Sequence, residues 1–209
     1  MIKLLGRQTS GNVQKVIFCL EEIGVPYVRE DYGRQFNNTT TDAYRKLNPN
    51  ARVPTLIDGN LVIWESHAIL RYLVATHKPS LTGATPAERT MPERWMDWLL
   101  AHLNAPYVAV FVGGRKPPAE RAPDFAAQCS DIVAQLKILE GHLSGKQWLA
   151  LDRFSIAELA LAPIVKRCLE FEIERPKLPE VERWQAAIDA RAAFAVAIGA
   201  IKSALTPAA

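Results

Sequence analysis

The sequence predicts an α/β domain followed by an all-α domain. Three observations carry this. Short apolar strands and amphipathic helices alternate through residues 1–77. A stretch with two prolines and a glycine follows at 78–86, and every apolar-periodic run after it has helical spacing. The expected domains are therefore 1–77 and 87–209, with 78–86 as the linker.

The elements follow in order. Residues 2–5 read as a short buried strand. From Gly11 to Ile23 the apolar residues Val13, Val16, Ile17, Leu20 and Ile23 recur at helical spacing, and Gly24-Val25-Pro26 ends that helix. A second strand is expected over 27–32, a polar loop over 33–40 and a short helix over 41–47. Residues 53–63 form a hairpin, two apolar runs flanking Asp58-Gly59-Asn60. A helix over 65–77 completes the domain. This βα–β–α–ββ–α order is that of a thioredoxin-like fold. In the second half, helices are expected over 88–112 with a bend near Pro106, then over 119–143, 155–170, 179–190 and 192–204. Ser155-Ile156-Ala157-Glu158 has the spacing of a capping box, a folding device at the start of an apolar and hence buried helix.

Composition narrows the function. Of 209 residues, 49% are apolar and 22% charged, as in a soluble globular protein. A net charge of +3 is too small to argue for nucleic acid and mildly favours small anionic ligands. Three widely spaced cysteines suggest neither a disulfide framework nor a zinc site, and a reducing, cytoplasmic setting is expected. The N-terminus lacks the apolar core of a signal peptide, and no run reaches the ~20 apolar residues that span a bilayer. No membrane association and no metal are expected.

The chemistry gathers at three places. At Thr9-Ser10-Gly11-Asn12-Val13 a strand turns into a helix, where thioredoxin-like proteins hold a Cys-x-x-Cys pair. Ser10 and Val13 occupy those positions, so thiol–disulfide exchange is excluded. Two readings of Ser10 stand side by side: an N-cap of the helix, or a hydroxyl that donates to a thiolate supplied by a ligand and lowers its pKa. Thr9 and Asn12 are the alternative donors. At Arg52-Val53-Pro54 a residue before proline is pushed into extended geometry and can pair its backbone with an extended ligand. At Trp64-Glu65-Ser66 an apolar strand stops and a helix starts, offering unpaired N–H groups to a carboxylate.

Taken together, Ser10-Gly-Asn-Val-Gln-Lys-Val, Val53-Pro54 and Glu65-Ser66-x-Ala68-Ile69-x-x-Tyr72-Leu73 resemble the glutathione S-transferase superfamily, and within it a bacterial, theta-like glutathione transferase. The resemblance implies glutathione as co-substrate and a thioredoxin-like plus all-α architecture. It implies a cis peptide before Pro54, with Val53 pairing with the cysteinyl part of glutathione. Ser66 receives the γ-glutamyl carboxylate, Glu65 attracts the ammonium, Arg52 is a candidate to meet a ligand carboxylate, and Gln35 and Asn38 are candidates for the glycine end. Tyr107, Phe111 and Val112 are candidates for the pocket of a small hydrophobic electrophile. A homodimer and a role in detoxification are implied as well. Alternatives are a non-enzymatic binding module on the same fold and a glutathione-dependent dehalogenase or isomerase. A thiol-dependent reductase needs a cysteine where Ser10 stands.

Overall fold

A computed structural model describes residues 1–205; positions 206–209, the end of the expected 87–209 domain, lie outside the described residues. The chain divides into two units. The first comprises Met1–Thr82 together with the segment from Asp189 onward, and the second Gly83–Ile188. The division falls inside the 78–86 segment. The segment after Asp189, expected to belong with the helical domain, instead groups with the first unit.

The first unit is built on four strands: β1 (Ile2–Leu5), β2 (Tyr27–Glu30), β3 (Thr55–Asp58) and β4 (Leu61–Trp64), in the order β2-β1-β3-β4. β1 and β2 are parallel, with Leu4 opposite Arg29, and are joined by helix α1 (Gly11–Ile23). A parallel pair requires such a crossover. β3 runs antiparallel to β1 and pairs with β4 in the hairpin expected from the Gly-Asn turn. Helix α2 (Asp42–Leu47) is capped by Thr41, whose hydroxyl accepts from the Tyr44 N–H at 3.3 Å. Helix α3 (Ser66–His77) leaves β4 directly. The 33–40 loop contains one 3₁₀ turn, Arg34–Phe36. Asn38 folds this loop: its side-chain oxygen accepts from the Gly33 N–H at 2.9 Å and its amide donates to the Asp31 carbonyl at 3.0 Å.

The second unit opens with α4 (Pro86–Trp98), started by a capping box in which Thr85 and Glu88 satisfy each other's backbone N–H groups. The expected 88–112 helix is broken by a π-helical segment, Leu99–Leu103, before α5 (Asn104–Gly113). The physical cause is Pro106, which has no N–H for the carbonyl of His102 and crowds it, so the turn before it widens. Helix α6 (Phe125–Leu143) starts six residues later than expected, because Pro117, Pro118 and Pro123 break the segment before it. Helix α7 (Ile156–Glu170) carries the expected capping box, with Ser155 N–H donating to Glu158 at 2.9 Å and Glu158 also accepting from Leu149 N–H at 2.7 Å. Helix α8 (Pro179–Asp189) is capped from a distance: the Glu140 carboxylate on α6 accepts from the N–H groups of Glu180 and Val181.

Back in the first unit, α9 (Ala192–Ala197) is far shorter than the expected 192–204 helix. Gly199, at φ +81°, turns the chain away, a conformation open to glycine at no steric cost. The Gln8 amide donates to the carbonyls of Val196 at 2.9 Å and Ala197 at 2.8 Å, which occupies two of the helix's terminal acceptors. α9 packs on α1, with Phe194 edge-on to Phe18 and Arg191 paired with Glu22. α1 is thereby covered by both α3 and α9.

Candidate active site

The turn between β1 and α1 is fixed by its backbone. Gly6 N–H donates to the Glu30 carbonyl at 2.8 Å and Arg7 N–H to the Tyr32 carbonyl at 3.1 Å, which extends the parallel pairing past the end of the strand. Ser10 follows in extended geometry at the N-cap position, with its residue 8% exposed. Its hydroxyl makes no capping hydrogen bond. The two readings of Ser10 therefore separate: it occupies the cap position without committing its side chain to the cap. Thr9 is exposed, whereas Asn12 is half-buried and turns toward α3. There its side-chain oxygen accepts from the Ser66 hydroxyl at 3.5 Å. One polar contact thus joins the first turn of α1 to the first turn of α3.

The Val53–Pro54 peptide is cis. The loop ahead of it is clamped at the Arg52 carbonyl, which accepts from the Tyr44 hydroxyl at 2.7 Å and from the Asn48 amide at 2.8 Å. Tyr44 and Asn48 are both buried and both meet Thr55 as well, so α2 holds this loop against the start of β3. The Arg52 side chain itself is exposed. Gly33 crosses close by at φ +87°, where an added Cβ would stand 2.8 Å from the Arg7 guanidinium and 3.4 Å from Val53. Gln35 is exposed on the 3₁₀ turn after it. Both ends of the Asn38 amide are engaged in folding the loop.

Glu65 is the residue through which β4 becomes α3. It sits at φ 70°, ψ 117°, a conformation that costs a non-glycine residue roughly 1–3 kcal/mol and that clusters at ligand-binding sites. Its side chain is exposed while Ser66 is buried, and its carbonyl accepts from the Ile69 N–H at 3.0 Å to start the helix. The N–H groups of the first α3 turn precede any intrahelical partner, as helix geometry requires.

Beneath this turn lies a pair that the sequence reading did not single out. Lys15 of α1 is 1% exposed, and its ammonium lies 3.1 Å from Nε2 of buried His67. Burial lowers the Lys15 pKa to about 7, opposed by the carboxylate of Glu65. Burial, then Lys15 and Arg71, push His67 far below its ordinary value and keep it neutral. A lysine on a helix reads as a surface residue; it is the covering of α1 by two other helices that buries it.

The second unit contains a cavity of about 440 Å³ lined by Phe111, Arg115, Arg121, Phe125, Arg167 and Phe171 among others. Tyr107 is buried beside it, its hydroxyl accepting from Arg167 at 3.0 Å and its ring 5.7 Å from that of Phe111. Val112 is 45% exposed on the outer face of α5 and does not line this cavity. Cys19 and Cys168 are buried in apolar surroundings that push both thiols up, so neither is a ready nucleophile. Among the described residues no cluster of His, Cys, Asp or Glu could hold a metal, and no helix is long and apolar enough to cross a membrane.

A mixed four-stranded sheet with a cis-proline loop, joined to a helical unit, defines the two-part architecture of the glutathione transferases. Comparison with known proteins agrees. The family models for the glutathione S-transferase N-terminal and C-terminal domains match residues 9–76 and 103–192. The chain is 34% identical over 189 residues to glutathione S-transferase GstB of Escherichia coli K12, covering 88% of this chain and 91% of that protein. It is 31% identical to glutathione S-transferase 4 of Zea mays over 92% of this chain and 89% of the other. Among solved structures it is similar to the theta-class glutathione S-transferase of Xanthomonas axonopodis pv. citri with glutathione bound, at 39% identity and a TM-score of 0.90, covering 98% of this chain and 99% of that one. This chain belongs to the glutathione S-transferase superfamily.

Proposed function

We propose that this glutathione transferase binds glutathione along the first unit, stabilises its thiolate with Ser10 and conjugates it to a small electrophile. The γ-glutamyl carboxylate meets the Ser66 hydroxyl and the first amides of α3, and the exposed Glu65 carboxylate attracts the ammonium. The backbone of Val53, ahead of cis-Pro54, pairs with the cysteinyl residue, which carries the sulfur toward the α1 turn. Arg52 and Gln35, both exposed beside that path, meet the glycine end. A hydroxyl donating to the thiolate stabilises the charged form, and the positive end of α1 adds to it. The sulfur then forms a bond to the electrophilic carbon while the thiol proton passes to solvent.

The observation that carries this reading is the Ser10 hydroxyl: nearly buried, at the head of α1, and not used as a cap. Asn12 is less suited to activate the thiol because its side chain turns toward α3, and Thr9 is less suited because it is exposed. The glutathione bound in the Xanthomonas relative supports the choice of ligand. Calorimetry with reduced glutathione, together with the ultraviolet absorbance of the bound thiolate at neutral pH, tests it. Heat without thiolate absorbance favours a binding module without turnover; no heat at millimolar glutathione rejects the reading.

The same reading includes a cytoplasmic homodimer acting in detoxification. Three free cysteines suit a reducing compartment. Exposed Leu61 and Trp64 on β4, a strand at the sheet edge, suit association of subunits. Gel filtration with light scattering tests the dimer.

A further inference from the structure

The cavity of the second unit combines aromatic faces with guanidinium groups. The Arg115 guanidinium lies 3.7 Å from the centre of the Phe111 ring, and that of Arg121 lies 4.8 Å from the centre of Phe125. Arg167 lies 5.4 Å from the Phe111 ring while it donates to Tyr107. Two carboxylates also line the space, Glu170 and Glu172. Glu170 is held by Lys166 at 3.1 Å, one turn back on α7. The hydrogen bonds of Arg115 and Arg121 go to backbone carbonyls, those of Phe111 and Lys116, and among the described residues neither has a carboxylate partner. A guanidinium presents five donors in a fixed fork suited to a carboxylate. The cavity therefore sets aromatic faces beside cationic donors, a composition suited to a small ligand with an electrostatic preference.

We infer that this cavity selects aromatic carboxylates, the ring lying against Phe111 and Phe125 and the carboxylate held by Arg115 and Arg121, and that the electrophiles conjugated by this transferase are arenes carrying such a group. The second half of that statement rests on the proposed function; the first does not. With 4-chloro-3-nitrobenzoate as probe, the glutathione sulfur bonds to the ring carbon that bears chlorine. Chloride then leaves with the electron pair of the broken bond, and the thiol proton goes to solvent.

Two titrations separate the claims. The first uses 1-naphthoate and its neutral amide without glutathione. Naphthoate binds the more tightly, its affinity falls with added salt, and the Arg115→Gln/Arg121→Gln double variant loses about tenfold in affinity for it, as the loss of charge-assisted hydrogen bonds predicts. The double variant loses less affinity for the amide than for naphthoate, so the acid-to-amide preference shrinks. Equal binding of acid and amide, or unchanged naphthoate affinity in the variant, overturns the inference. The second titration uses glutathione alone: its failure rejects the transferase reading and leaves the naphthoate result standing. In turnover, the ratio of kcat/KM for 4-chloro-3-nitrobenzoate to that for its amide falls about tenfold in the double variant, and through KM. The Arg115→Lys variant, which keeps the charge, keeps part of the preference. An unchanged ratio overturns the substrate assignment.

Discussion

The side-chain nitrogen of Lys15 lies 3.1 Å from Nε2 of His67, in the interior between α1 and α3. When the charged lysine donates to Nε2, the ring proton of His67 sits on Nδ1, which is buried and has no hydrogen-bond partner among the described residues. Glu65, the residue before Ser66, is the carboxylate that favours the charged lysine. A buried lysine thus stands behind the turn proposed to receive the γ-glutamyl group.

This pair makes stability depend on pH. Lys15 is held at about 7 in the fold against an ordinary 10.5. Between those values the unfolded chain binds more protons, so stability rises with pH across that window, by up to about 1.4 kcal/mol per unit for one proton. The contribution is full above pH 10.5 and is lost progressively as pH falls to about 7. Denaturant melts of the parent and of Lys15→Met at about pH 7 and 9 check this: the parent gains stability over the interval, and the variant gains less. Equal slopes reject the assignment.

Ser10→Ala keeps glutathione affinity but raises the apparent pKa of the bound thiol by about one unit and lowers kcat. A hydrogen bond to a charged group is worth about 1.5–3 kcal/mol, and one pKa unit corresponds to about 1.4 kcal/mol. Thiolate absorbance against pH reads the shift directly. Unchanged turnover would move the role to Asn12 or Thr9.

Ser66→Ala weakens glutathione binding about tenfold, because a donor to the carboxylate is removed. Calorimetry distinguishes this from a folding defect, since the parent and variant melts should stay close. Equal affinity would show that the first amides of α3 hold the carboxylate without the hydroxyl.

At Glu65 the backbone and the side chain make opposite demands. Glu65→Gly relieves the positive φ and is the more stable of the two truncations, by about 1 kcal/mol over Glu65→Ala. Both variants lose glutathione affinity to a similar degree, since both lack the carboxylate. Thermal melts and a glutathione titration on the two variants check the pairing of results.

Ser155→Ala lowers stability by about 1 kcal/mol or more, the cost of an N-cap lost where Ser155 and Glu158 are both fully buried. Glutathione affinity is unchanged. A melt coincident with the parent would remove the capping box from the account.

Much of the first unit was legible in the sequence because its signals are local. Strand, turn and helix through Ser10, the hairpin around Gly59-Asn60 and the start of α3 at Glu65-Ser66 each depend on neighbours a few residues away. Thr85-x-x-Glu88 carries the same spacing as Ser155-x-x-Glu158, yet the sequence reading passed over it and started the helix at 88. What the sequence hid depends on distant partners. Lys15 is buried by α3 and α9, and α8 is capped by Glu140, some forty positions earlier in the chain. Asn38 is a loop amide by composition, and only its two backbone partners reveal that it is already engaged. The 192–204 run has helical apolar spacing, yet Gly199 stops the helix at Ala197.

The lock between Gln8 and the carbonyls of Val196 and Ala197 has a consequence for biosynthesis. The first unit cannot complete the Phe18–Phe194 contact until Phe194 has emerged from the ribosome, long after the sheet has been made. A fragment stopped at Thr82 would leave that apolar flank of α1 bare to solvent and open to chaperones.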